Sequence, residues 1–188
     1  MAKTKVKLSL FNLDSIDEAI DQLNKYKNSL DKKIERFLER LAEEGVEIAK
    51  SKVQKYHAVF TTDLLNQIHL EHRDGCFFVV SDSEHTAFVE FGTGQWGRDH
   101  PYKGEFPDMG ADWNYTDYLT GEHIQYAEED LLWGDWTIPA GSYFWFYFGM
   151  DRRWHVTQGM PSRPFMFDTA MELRKERTIR RIAKEVFT

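Results

Sequence analysis

The sequence feature that most constrains the fold is the segment 86–94, an apolar run with a single carboxylate that ends in Gly92-Thr93-Gly94. Glycine accepts a positive φ, so this ending allows a sharp turn where larger side chains would clash. A turn that closes a packed segment is the simplest interpretation, because a lone Gly-x-Gly lacks the other features of a phosphate-binding loop. The single charge, Glu90, is expected either to face solvent or to be buried with a partner and to fix the loop.

A second segment, residues 159–170, carries two prolines and leads into a predicted terminal helix. Proline presets φ, so Pro161 and Pro164 are expected to hold that helix at a fixed angle. Arg163 presents a planar guanidinium that suits a carboxylate, and Glu90 is one candidate partner. The alternative is a simple turn that leads into the helix.

Together the two segments resemble a known family. "AFVEFGTG" and "TQGMPSRPFMFDTAMELRKE", with "FNLDSIDEAIDQL", "AKSKVQKY" and "TTDLLNQI" before them, are similar to the gene-product-ten-like family of long-tailed bacteriophages. These are minor tail or tail-completion proteins found where head meets tail. One departure is Thr62, since the family usually has Thr-Gly at this point.

The resemblance implies a non-enzymatic virion protein, made in the host cytoplasm, that caps the head-proximal end of the tail as a ring. Its expected partners are further copies of itself, the tail tube or tail terminator, and the head connector or head-closure protein. DNA would pass nearby without specific binding, and no cofactor, metal or membrane is implied. The structural candidates in the two motifs are Glu90, Gly92, Thr93, Gly94, Arg163, Pro164 and Phe165.

Length and composition favour one domain, 1–188, because 188 residues with 41% hydrophobic content bury one sizeable core. The net charge of −7 argues against a protein that depends on binding nucleic acid phosphates. A single cysteine, Cys76, excludes an internal disulfide and suits a reducing cytoplasm. The sequence shows neither a signal peptide nor an apolar run long enough to span a membrane.

The N-terminal half predicts a strand and then helices. Val6, Leu8 and Leu10 alternate with polar residues, and a capping-box spacing begins a helix at Ser15. Residues 28–31 are a candidate interruption, after which an apolar stripe continues to residue 56. Gly45 lies inside this stripe and indicates either close packing or a break.

Two hairpins are predicted further along the chain. Residues 67–73 and 76–82 flank Asp74-Gly75, a dipeptide typical of a tight hairpin turn. Residues 143–148 and 154–157 flank the turn at 149–152, and their aromatic first strand is expected to be covered on both faces by the fold or by a neighbouring subunit. The predicted class is α+β, a small antiparallel sheet packed against a long N-terminal helical segment and a C-terminal helix.

Residues 95–140 are predicted to form a long irregular insert. Ten acidic and two basic side chains give it a charge of −8, which leaves +1 for the rest of the chain. The terminal helix is basic, so the two are candidates for an interface between neighbouring subunits, whereas the alternative places the insert along a DNA channel. The candidate residues on the acidic side are Glu128, Glu129 and Asp130, and on the basic side Arg177, Arg180 and Arg181.

Two other classes of function would each need features of their own. A metal- or carboxylate-dependent hydrolase needs clustered ligands, but the histidines lack metal-site spacing and Glu128 and Glu129 are more simply a solvated acidic run. Cys76 begins an apolar strand and is expected to be buried and inert. A monomeric nucleic-acid-binding adaptor would need its basic terminal helix free to contact DNA.

Overall fold

The computed structural model describes residues 13–57, 62–105, 125–149 and 151–188, with side chains from residue 16 onward. The class is mixed α+β, as predicted. The described residues form two compact units. Unit 1 holds residues up to 48, 69–80 and 170–188, and unit 2 holds residues 49–68 and 81–169. The assignment of 1–188 to one domain stays a prediction.

The longest element is α1, Leu13–Lys55, an unbroken helix of 43 residues. It already includes Leu13, so its beginning lies before the predicted start at Ser15. The helix continues through the candidate interruption at 28–31, because Leu30 and Ile34 continue the apolar spacing and no proline or glycine lies there. The predicted strand at Val6–Leu10 lies outside the described residues.

Unit 1 combines the first part of α1 with a hairpin and the terminal helices. The hairpin strands are β1, Ile68–Arg73, and β2, Cys76–Ser81, as predicted. Asp74 and Gly75 both have positive φ, 52° and 73°, which a type I′ turn requires.

Gly45 is a close-packing position. It is buried, and a Cβ there would lie 2.8 Å from Val79 Cγ2 and 3.0 Å from Leu173 Cδ1. The helix therefore continues through Gly45 while β2 and the start of the C-terminal region approach its backbone.

The prediction that Cys76 is buried is wrong, because its thiol is exposed. The reason is the alternation of side chains along β2, whose hairpin has one covered face. Cys76 lies on the open face with Phe78, and Phe77 and Val79 lie on the other.

The C-terminal region contains two helices where the sequence predicted one. α5 spans Phe165–Leu173 and α6 spans Glu176–Phe187. Lys175 takes an extended conformation, with φ −66° and ψ 132°, which ends the first helix and precedes the second.

Unit 2 contains the last part of α1 and three short helices: α2 Asp63–Asn66, α3 Thr86–Phe91 and α4 Gly94–Asp99. Its sheet has the strand order β3-β6-β7, with β3 Gln125–Tyr126, β6 Tyr143–Phe148 and β7 Trp154–Thr157. β6 and β7 form the predicted second hairpin, in antiparallel register from Trp145 opposite Thr157 to Phe148 opposite Trp154. Ala127, Ile138 and Phe144 form the core of this sheet.

Part of the segment predicted to be irregular is a hairpin. β4, Leu131–Trp133, pairs with β5, Trp136–Ile138, through a turn at Gly134, whose φ is 59°.

 The Gly-Asp dipeptide after Trp133 is a hairpin signal that the lack of a sustained period obscured. Within the described residues, no helix is both long and apolar enough to cross a membrane.

Candidate functional site

The two sequence motifs meet through their backbones in unit 2. Thr93 pairs with Met160 and Gly94 with Gly159 in isolated antiparallel bridges. The N–H of Arg163 donates to the carbonyl of Val89 at 2.8 Å. We call residues 89–94 and 159–168 together the two-motif site.

Glycine is required where the two backbones approach each other. Gly92 and Gly94 have φ of 83° and 62°, and Gly159 has φ of 101°. A Cβ on Gly94 would lie 2.5 Å from the carbonyl oxygen of Gln158, and one on Gly159 would lie 1.9 Å from that of Thr93. Larger residues would therefore both strain the backbone and separate the motifs. Thr93 is buried at this contact, where its Oγ1 accepts the N–H of Met160 at 3.3 Å.

Glu90 caps the N-terminus of α5 from a different part of the chain. Its side chain is only 5% exposed. Its Oε2 accepts the N–H of Met166 and its Oε1 accepts the N–H of Phe167, both at 2.9 Å. These amides belong to the first turn of the helix, which has no intrahelical acceptor for them, and the positive end of the helix dipole favours a carboxylate there.

The remaining amides at this helix start are also bonded. The N–H of Phe165 donates to the carbonyl of Arg163 at 2.8 Å, and that of Asp168 donates to Pro164 at 2.9 Å. Ser162 Oγ donates to the backbone carbonyl of Glu90 at 2.6 Å. The start of α5 is therefore fixed to α3 by both backbone and side-chain hydrogen bonds, in which α3 supplies the acceptors.

A second carboxylate, Asp168, lies one helical residue beyond these amides. The Tyr56 hydroxyl donates a hydrogen bond to Asp168 Oδ2. Burial, that hydrogen bond and the charges of Asp168 and Glu90 raise the pKa of Tyr56 to about 12. Tyr56 therefore stays protonated as a donor through the neutral range.

Tyr102 and two phenylalanines surround the carboxylates with aromatic rings. The Tyr102 ring lies edge-on to Phe91, with ring centroids 5.0 Å apart, and to Phe167, with centroids 5.7 Å apart. Burial raises the pKa of Tyr102, and the charges of Glu90 and Asp168 add to the effect. Burial also raises the pKa of Glu90, against the lowering effect of the amides of Met166 and Phe167.

The hypothesis that Arg163 pairs with Glu90 is not what the structure shows. Within the described residues, the Glu90 carboxylate is held by backbone amides, and Arg163 contributes its own backbone N–H and carbonyl. Pro164 is buried, and Phe165 is fully buried with 0% exposure. These two residues lie where α5 begins, and their role in holding the helix stays a prediction.

The basic candidates lie on α6 in unit 1 and are already paired within the chain. Arg177 bonds Glu172 at 2.7 Å, and Arg180 bonds Glu176 at 2.5 Å. Arg181 contacts Glu44 of α1 at 2.7 Å and Glu185 at 3.1 Å. The helix therefore presents less free positive charge than its sequence indicates.

The acidic candidates lie in unit 2, directly before the hairpin β4–β5. Glu128, Glu129 and Asp130 are all exposed, as expected for a solvated acidic run. Asp130 also accepts the N–H of Ala140 at 2.8 Å, which ties the two ends of the hairpin together.

The geometry of the two-motif site supports a structural role for its carboxylates. Glu90 uses both oxygens to hold backbone amides, so neither is directed at a substrate. In the part of the chain that the structure describes, no group of three or more His, Cys, Asp or Glu side chains is placed to hold a metal ion.

Sequence reasoning missed Tyr56, Tyr102 and Asp168 as members of this site. Asp168 had a local signal, since an acidic residue in the first turn of a helix is favoured by the dipole. Tyr56 had none, because its partner is 112 positions away.

The comparison with protein families agrees with the first of the two motifs. Residues 17–92 match the family described as "Bacteriophage HK97-gp10, putative tail-component". This stretch contains most of α1 and ends inside the Gly-Thr-Gly loop, and the second motif lies beyond it. No curated protein and no solved structure shows a significant match to the chain. The resemblance indicated by the sequence motifs is confirmed over residues 17–92, which are similar to a gp10-like phage tail component.

Proposed function

We propose that this tail component completes the head-proximal end of the phage tail, forms a ring there, and joins the tail to the head connector. The observation that carries the proposal is the match of residues 17–92 to a phage tail-component family. Its partners are other virion proteins: further copies of the chain, the tail tube or tail terminator, and the head-closure protein. In this role the protein acts by assembly and not by turnover.

The two-motif site supports such a role because it fixes helix direction. Glu90, Ser162 and Arg163 connect α3 to the start of α5 by hydrogen bonds that leave few alternative arrangements. A subunit that must fit between fixed neighbours gains from a rigid frame, because less conformational freedom is then lost on assembly.

The charge distribution changes which contact between subunits is favoured. A contact of the acidic insert with the basic terminal helix loses support, since Arg177, Arg180 and Arg181 have acidic partners in their own chain. The exposed carboxylates Glu128 and Glu129 remain available to a neighbour or to the wall of a DNA channel.

Deletion of the gene from the phage tests the proposed function. We expect filled heads together with unattached or overlong tails, visible by electron microscopy. Complementation with the wild-type gene should restore joined particles. Normal joined particles in the deletion strain would overturn the proposal.

A further inference from the structure

An aromatic groove opens on the surface of unit 2. Its volume is ≈ 580 Å³. Helix α4, the hairpin β4–β5 and the strands β6 and β7 all contribute to the groove. Its aromatic lining consists of Trp96, Trp133, Trp136, Tyr147, Trp154 and His155. Trp136 is 67% exposed and Trp154 is 61% exposed. Clustered exposed aromatic side chains of this kind mark an interaction surface.

The chemistry around the groove favours a basic, apolar occupant. Residues 125–140 contain four carboxylates and no Lys or Arg, and Asp135 is itself part of the groove lining. Indole faces attract cations, most strongly when water is displaced. A segment that carries both apolar side chains and lysines would pack against the aromatic rings and pair with the carboxylates.

Unit 1 presents such a segment. We call residues 20–34 of α1 the arm. Four of its apolar side chains are exposed, with Leu23 at 57%, and they recur at helical spacing as Ile20, Leu23, Tyr26 and Ile34. Its four lysines and two aspartates give a net charge of +2. In the described part of the chain, no ion pair involves Lys25, Lys27, Lys32 or Lys33.

We infer that the arm of one copy lies in the aromatic groove of the next copy. The inference rests on the proposed ring, because a closed ring needs one surface on each subunit that fits a different surface on its neighbour. An amphipathic helix that inserts its apolar residues into a groove is a common mode of recognition. The arm is four turns long, about 22 Å, enough to place several anchors along the groove.

The arm also explains the charge pattern better than α6 does. The arginines of α6 are engaged by Glu172, Glu176 and Glu44, whereas the lysines of the arm are unpaired within the described residues. The negative charge of residues 128–135 therefore meets unpaired positive charge on the arm. Opposite charges at such an interface speed association and set the register.

The test uses the full-length chain in sedimentation velocity over a range of concentrations. The arm variant is Leu23→Asp and the groove variant is Trp136→Ala. We expect the wild type to associate with concentration and each variant to weaken that association at least about tenfold, the typical loss at a central contact. Leu23 and Trp136 are both exposed, so neither substitution removes a core side chain.

A mixture of the two variants distinguishes this interface from others. The arm variant retains an intact groove and the groove variant retains an intact arm. An equimolar mixture should therefore form a dimer and no larger species. Pairing of arm with arm, or of groove with groove, would leave the mixture without this dimer and would overturn the inference.

Matched controls separate the interface from folding. Gln22→Asp places the same residue at an exposed position beside the stripe and should associate like the wild type. Trp154→Ala is a second groove variant and not a control. It removes a ring of the groove from a different strand and should weaken association as Trp136→Ala does. All variants should retain the wild-type melting curve within a few degrees.

Two further outcomes would overturn the inference. One is a wild-type chain that stays monomeric at every concentration, and the other is an association that neither Leu23→Asp nor Trp136→Ala weakens. Failure of the proposed function is seen separately, as normal joined particles after deletion of the gene. Association through arm and groove combined with normal particles would refute the tail-joining role alone.

Discussion

Tyr56 donates a hydrogen bond to Asp168 across 112 positions of sequence. Tyr56 follows the end of α1, and Asp168 lies in the first turn of α5. Asp168 stands beside the amides that Glu90 holds, so the phenol offsets part of the repulsion between two neighbouring carboxylates.

Glu90→Ala is expected to lower the free energy of unfolding by about 3 kcal/mol, because two buried amides lose a charged acceptor. Urea denaturation of the purified protein measures the change. Glu90→Gln keeps one acceptor oxygen and should cost less. A change below about 0.5 kcal/mol for Glu90→Ala would contradict a capping role.

Comparison of the wild type with Glu90→Gln at different pH values gives a second test of Glu90. The pKa of Glu90 is raised above 4.5 in the folded state, so the folded protein binds a proton more readily than the unfolded chain. The stability from this protonation is present below the unfolded pKa and is lost as pH rises through the folded pKa. The wild type should therefore gain stability relative to Glu90→Gln as the pH falls toward 4.5.

We expect the contribution of Tyr56 to the stability of the protein to be lost at alkaline pH. Its pKa is raised from 10.0 to about 12, so its contribution is present below pH 10 and is lost as pH rises through the folded pKa. Thermal melts of wild type and Tyr56→Phe should therefore converge as the pH rises above 10. A constant difference between the two proteins across this range would contradict the prediction.

Gly94→Ala should destabilise the protein far more than Gly134→Ala. Both glycines have positive φ, 62° and 59°, so an alanine strains each backbone by about 1–2 kcal/mol. A Cβ at Gly134 meets nothing within 4 Å, whereas one at Gly94 would lie 2.5 Å from a backbone carbonyl oxygen. Equal melting temperatures for the two variants would mean that the close approach of the two motifs is absent.

Arg163→Ala is expected to change the stability of the isolated protein by less than about 0.5 kcal/mol, because its described bonds come from the backbone. Its effect should instead appear in assembly, as fewer joined particles when the variant complements a deletion. A large fall in melting temperature would show that the guanidinium has a partner within the fold.

The sequence by itself determined the local elements. Turn dipeptides and alternation predicted the hairpins β1–β2 and β6–β7, and helical spacing predicted α1, because these signals depend on neighbours within a few residues. It also indicated that the Gly-Thr-Gly and proline-flanked segments matter. The sequence could not show that α1 continues through residues 28–31, since such a choice depends on weak propensities.

Only the tertiary structure decided the partners. Glu90 finds its amides 76 and 77 residues away, Gly45 is explained by Val79, and Arg181 is paired by Glu44. Cys76 is exposed because its hairpin has one open face. A carboxylate or an arginine has the same local pattern whether it is solvated or paired, and burial and distance, which distinguish the two, exist only once the chain has folded.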